Sequence, residues 1–193
     1  MTSFKMQWKY DGKESSLPQR EMPANAVAFK EPQNMKKLAI VLNVASIFIA
    51  VITMTILFLR GGLFAFSFVG ALLSMVCLVP NEFLHGICFK EDVTMYNNLK
   101  QGMLFVISLE DMSRARFVFL SLLPNIVFGF IPYILFLIFP SLKILGTLGA
   151  ISIAGGVGDY MNVYNCLTQV PKGGLTFLSG IHSYWYMPEE TNT

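Results

Sequence analysis

Four stretches of this chain stay apolar for long enough to matter. Residues 38–59 carry no charged side chain at all. From about Gly61 to Pro80 the chain is again uncharged, and its apolar character continues through residues 81–89. The third stretch covers residues 117–140, and the fourth runs from Ile144 to about Leu167 with Asp159 as its single charge. A helix needs about 20 apolar residues to cross a bilayer. One such run would equally suit a buried core helix, but four in a chain of 193 residues do not. Four transmembrane helices are predicted.

Outside these runs the polarity alternates with period two, the signature of half-buried strands. Residues 4–10 read Phe-Lys-Met-Gln-Trp-Lys-Tyr and are followed by Asp11-Gly12, a strand and a turn. Residues 14–36 contain Pro18, Pro23 and Pro32 and read as an extended lead-in. Between spans two and three, residues 93–97 and 103–108 flank a turn near Lys100-Gln101-Gly102, which predicts a β-hairpin on the membrane surface. The tail, Pro171-Lys172-Gly173-Gly174 followed by residues 175–178 and 182–187, also reads as strands. Its aromatics Tyr184, Trp185 and Tyr186 suit a membrane interface. The expected fold class is an all-α membrane bundle, with four transmembrane helices and short cytoplasmic β-strands. Its expected parts are an N-terminal segment 1–36, a four-helix membrane domain 37–167 with a cytoplasmic loop 91–115, and C-terminal strands 168–193.

Composition sharpens this picture. Hydrophobic residues make up 54% of the chain and charged residues 13%, against about 25% in soluble domains. Mean hydropathy is +0.56. An ordinary cytosolic enzyme, a disordered tail and a basic nucleic-acid-binding domain are all excluded. A net charge of +2 implies no polyanionic partner. The lysines and arginines set the orientation. Twelve lie within residues 5–37, in the connection between spans two and three (90–116) and in the tail, whereas only Arg60 and Lys143 fall on the other side. Both termini are therefore expected in the cytoplasm of a multi-pass protein of the cell membrane. No signal peptide is expected, because the first 36 residues are polar and the apolar run after them is too long to be a cleaved one. Cys77, Cys88 and Cys166 fall within or at the cytoplasmic ends of spans, so no disulfide is expected.

Ionisable groups inside spans are costly and point to function. Here they are Glu82, His85 and Asp159. Counting about 1.5 Å per helical residue, Glu82 lies roughly 31 Å down span two and Asp159 roughly 24 Å down span four, both toward the cytoplasmic side. The local string is Pro80-Asn81-Glu82-Phe83-Leu84-His85-Gly86. Asn81 and His85 are four apart and share a helix face, with Glu82 about 100° round the same turn. This is the layout of H-E-x-x-H, in which two histidines bind zinc and the glutamate takes a proton from metal-bound water. Around Asp159 the chain reads Gly155-Gly156-Val157-Gly158-Asp159-Tyr160-Met161-Asn162. Gly146, Ala150, Ala154 and Gly158 recur every four residues, a stripe for close helix packing. The glycine cluster can also break the helix. Blander readings stand beside these. Glu82 and His85 can reach water at a span end, and Asp159 can pair with a loop cation or hydrogen-bond to Asn125. His182 suits a structural place in a strand, and Pro124, Pro132 and Pro140 suit kinks.

Several features together carry a resemblance. They are Lys30-Glu31-Pro32, the Glu82–His85 pair, the Pro-bearing third span, Gly158-Asp159 and Pro171-Lys172-Gly173 before an aromatic strand. In these the chain, over roughly residues 20–190, resembles a bacterial membrane family of zincin peptidases, a domain of unknown function. That family is in turn similar to the site-2 intramembrane metalloproteases. The resemblance implies a zinc held by two histidines and a distant aspartate. His85 and Asp159 then match ligands, Glu82 matches the general base, and Asn81 stands where the other histidine would be. The implied activity is hydrolysis of peptide bonds in a membrane-associated protein or peptide, with zinc as cofactor and the lipid bilayer as surroundings. The hairpin at 93–108 would offer an edge strand to an extended substrate. Asn81 leaves three readings open: a weakly held or different metal, completion of the site by His182 or Cys88, or a degenerate relative that binds without cleaving. Two other classes compete, a transporter subunit using Glu82, His85 and Asp159 as a proton or cation relay, and a helix-binding scaffold.

Overall fold

The computed structural model describes residues 4–7, 10, 14–32, 35–98 and 103–189. The turns expected at Asp11-Gly12 and Lys100-Gln101-Gly102 lie outside the described residues, as do Trp8 and Lys9 of the first expected strand. The helices are α1 (Met35–Gly61), α2 (Phe68–Val76), α3 (Leu78–Ile87), α4 (Arg114–Pro124), α5 (Ile131–Ile138), α6 (Lys143–Gly155) and α7 (Val157–Gln169). A π-helical segment, Asn125–Phe130, joins α4 to α5. Three helical stretches are long and apolar enough to cross a membrane: Lys36–Gly61, Phe68–Ile87 and Arg114–Ile138. The pair α6 and α7, bent by 51°, makes a fourth if it is taken as one span.

The last three stretches are interrupted, each for a local reason. Pro80 lacks an N–H, and α2 gives way to α3 at Cys77, although the Asn81 amide still donates to the Cys77 carbonyl at 2.9 Å. Pro124 and Pro132 each remove a helical donor, and between them the chain widens into the π segment. The glycine pair 155–156 ends α6, as the glycine cluster suggested.

The strands are β1 (Phe4–Gln7), β2 (Val27–Ala28), β3 (Val93–Asn98), β4 (Met103–Ile107), β5 (Met112–Ser113), β6 (Leu175–Ser179) and β7 (His182–Tyr186). They form two small sheets, ordered β1-β3-β4 and β2-β7-β6-β5. The strands expected at 93–108 pair antiparallel, with Thr94 opposite Ile107 and Asn98 opposite Met103. β1 adds to β3 in parallel. A parallel pair needs a long crossover, and α1 to α3 lie between these two strands in the chain. In the tail, β6 and β7 are joined by Gly180-Ile181, where Gly180 takes the positive φ of 61° that the tight turn demands. The fold is thus mostly helical with small sheets, as expected. The two-residue strands β2 and β5 are additions.

The chain divides into two compact units. One comprises Glu31–Asn81 and Leu122–Met161, the other Met1–Lys30, Glu82–Ser121 and Asn162–Thr193. In the first, Leu57, Ala65, Tyr133, Phe136, Ala150 and Ile153 form the core. Glycines let its helices touch. Gly146 faces the Phe136 ring, and a Cβ on Gly149 would stand 2.6 Å from the Tyr133 nitrogen and 2.7 Å from the Gly129 carbonyl oxygen. Ala150 and Ala154 are buried as the small-residue stripe requires. Gly158 departs from it, because nothing lies within 4 Å of a Cβ placed there. The bend at Gly156 comes between, so the i, i+4 row does not continue in line. In the second unit the main core is Phe29, Phe89, Val93, Met112, Phe117, Leu120, Cys166 and Val170, with Trp185 packed against it.

Candidate functional site

Helix α3 carries three of the four candidate residues. Asn81 and His85 lie one turn apart on one face, and Glu82 follows Asn81 round the helix. Asn81 and Glu82 are half-buried, whereas His85 is only 6% exposed. The orientation of His85 has a cause in the sequence. Pro124 has no N–H, so the Leu120 carbonyl on α4 loses the donor it would normally meet four residues on. His85 Nδ1 lies 3.0 Å from that carbonyl oxygen. A carbonyl only accepts, so Nδ1 carries the proton, and in the neutral ring the lone pair sits on Nε2. Metal-binding histidines are commonly oriented in this way, by a second hydrogen bond from the other ring nitrogen. Pro124→Ala is expected to return an N–H to Leu120 and loosen this contact. The tautomer balance of His85, read by ring-nitrogen NMR, is the measurement that checks it.

Asp159 lies in the first turn of α7, where the helix dipole favours a carboxylate. Asn125, 3% exposed and the first residue of the π segment, donates from Nδ2 to Asp159 Oδ2 at 2.7 Å. The Tyr160 hydroxyl donates to Asn125 Oδ1 at 3.2 Å. Asn125 fits only because residue 156 is glycine, since a Cβ there would overlap the Asn125 amide oxygen. Gly156→Ala is therefore expected to expel the amide and to destabilise the fold by about 1–3 kcal/mol, the usual range for overpacking. A lowered unfolding midpoint in detergent, matched by Asn125→Ala, checks it. The hydrogen bond between Asp159 and Asn125 was one of the alternatives the sequence left open. The π segment was missed, although two prolines eight residues apart in one span, with Gly129 between them, were its visible signal.

Among the described residues, no group of three or more His, Cys, Asp or Glu side chains is gathered closely enough to hold a metal ion. Helix α3 offers one imidazole, one carboxylate and, one turn before the imidazole, a neutral amide, which is a poor zinc ligand. Cys88 lies just past α3. Burial pushes its thiol up from its ordinary value, with the nearby Arg116 guanidinium opposing, so its reactive, metal-binding thiolate is disfavoured. His182 is buried at the start of β7.

A family model described as "Putative zincin peptidase" matches residues 75–175, just over half of the chain. The chain belongs to that family. The zincin match covers α3, the Pro-bearing stretch α4 to α5, and α6 and α7, and so includes all four candidate residues. A zincin family implies zinc in general, yet the donor set of this member does not fit a tightly held zinc. No curated protein and no solved structure matches the chain.

Proposed function

We propose that this is a membrane-embedded zincin-family protein that engages membrane-associated polypeptides without holding zinc tightly, and without hydrolysing peptide bonds efficiently. The observation that carries the reading is the register of α3. Asn81 occupies the position one turn before His85, where the family pattern asks for a second imidazole, while Glu82 and His85 keep the places of base and ligand. Asp159 is the candidate for the distant ligand, steadied by Asn125.

Several features support the membrane setting. In the most apolar stretch of α1 only 11% is buried, and Ile40, Val44, Ile47, Phe48 and Val51 are each about 60% exposed. Apolar surface of that extent belongs in lipid. The lysine and arginine bias supports cytoplasmic termini and an α3 site toward that face. The edge strand β4 offers backbone groups to an extended polypeptide.

Metal analysis of the purified full-length protein tests the reading. Far less than one zinc per chain is expected, unchanged in His85→Ala, with no cleavage of a membrane-anchored peptide. One zinc per chain, lost in both His85→Ala and Asp159→Ala and accompanied by cleavage, would replace the proposal with an active peptidase. Proton-coupled uptake without bound metal would replace it with the relay.

A further inference from the structure

A second polar cluster lies in the same unit as His85, at the exit of α3. Glu110 is 3% exposed, a buried carboxylate held by polar partners. Its Oε2 accepts hydrogen bonds from the Lys90 and Glu91 backbone amides at 2.6 and 2.7 Å. Its Oε1 lies 2.6 Å from Arg116 Nη1, an ion pair without an aligned hydrogen bond. The other arm of the fork, Arg116 Nη2, donates to the Cys88 carbonyl at 2.6 Å. One residue pair thus holds both ends of the turn that leaves α3. Arg116 satisfies a carbonyl at the helix C-terminus, where a cation is favoured, and Glu110 gathers the next two amides.

The spacing links this cluster to the imidazole. Arg116 and Leu120 are four apart on α4 and so share a face, and His85 and Cys88 are three apart at the end of α3. Two contacts therefore bind the same pair of helix faces: His85 Nδ1 with the Leu120 carbonyl, and Arg116 with the Cys88 carbonyl. A bidentate guanidinium fixes the angle as well as the distance. Without it, α3 could turn or slide by a fraction of a residue and carry Nδ1 away from its acceptor. We infer that Glu110 and Arg116 are positioning residues for His85, acting through the exit of α3. The inference rests on the reading of His85 as the imidazole of the site, but not on whether metal is bound or peptide is cleaved.

The experiment uses the full chain in detergent or nanodiscs, with ¹⁵N-labelled histidine. The sequence holds only two histidines, His85 and His182, and both lie in this unit. A His85→Gln variant assigns the spectrum by removing one set of ring signals. The wild-type His85 is expected to show the wide split of a fixed tautomer with the proton on Nδ1. Glu110→Gln keeps an oxygen for the two amides but loses the charge, and Arg116→Gln loses the fork. Both are expected to collapse the His85 split toward an average and to leave the His182 signals in place. Arg114→Gln is the control. Arg114 donates to the Leu167 and Val170 carbonyls at 2.8 and 3.3 Å, so its loss should leave His85 unchanged. The inference is overturned if His85 is unmoved in both test variants, if both histidines shift together, or if wild-type His85 carries its proton on Nε2. Zinc content and cleavage are read separately, so failure of the proposed function leaves this outcome distinct.

Discussion

Gly149→Ala is expected to unfold the helical unit at a markedly lower temperature than the wild type, by far more than one methyl group usually costs. Gly149 sits on α6 where the backbone of the facing stretch comes closest. The added Cβ would lie 2.6 Å from the Tyr133 nitrogen and 2.7 Å from the Gly129 carbonyl oxygen, and both are main-chain atoms. A side chain can rotate away from such an overlap, but a backbone cannot without separating the helices. Gly129 is itself tight against α6, with Ile153 Cγ1 3.0 Å from its own virtual Cβ, so the contact has no slack on either side. A cost of about 3 kcal/mol, at the upper end of the overpacking range, is expected. Gly158→Ala is the matched control. Nothing lies within 4 Å of its added Cβ, and a helical glycine replaced by alanine gains about 0.5–1 kcal/mol. Unfolding midpoints of both variants in the same detergent decide the matter. Equal midpoints would refute close helix contact at Gly149.

Asn81→His is expected to raise zinc affinity by more than about tenfold, because it adds a direct imidazole ligand and not only a tuning contact. The substitution changes one side chain on a helix whose backbone runs through this point, as the Asn81 amide bond to the Cys77 carbonyl shows. The new imidazole would share a face with His85, which already presents Nε2 as its lone-pair nitrogen. An imidazole replaces a neutral amide oxygen, the weakest donor of the set. Competition with a chelator of known affinity measures the gain, and adding His85→Ala should abolish it. An Asn81→His protein that binds zinc no better than the wild type would show that the two positions do not share a ligand.

How much of this was legible depends on the range of each interaction. The apolar runs were plain, because a bilayer demands about 20 consecutive residues and tolerates few charges. The hairpin 93–107 and the tail strands were visible through their alternation. The strands β2 and β5 were not, since two residues carry no period and their pairing comes from β7 and β6. Pro124 was read as a kink. That it also frees a carbonyl for His85, 35 residues away, depends on α3 meeting α4. Glu110 carried no signal in the sequence, and Arg116 counted only among the basic residues that set the orientation. Only the folded chain makes them an ion pair.

The sequence by itself determined which stretches are apolar enough to span, the prolines and the glycine pair 155–156 that interrupt them, and the order Asn81, Glu82, His85 around α3. These follow from covalent facts: the apolar character of each residue, the missing N–H of proline, the missing Cβ of glycine and the 3.6-residue turn. The tertiary structure decided which groups meet: His85 with Leu120, Asp159 with Asn125, and Glu110 with Arg116 and two backbone amides. The physical reason is that a buried polar group must find a partner wherever packing brings one, and no local pattern encodes which separate elements will pack together.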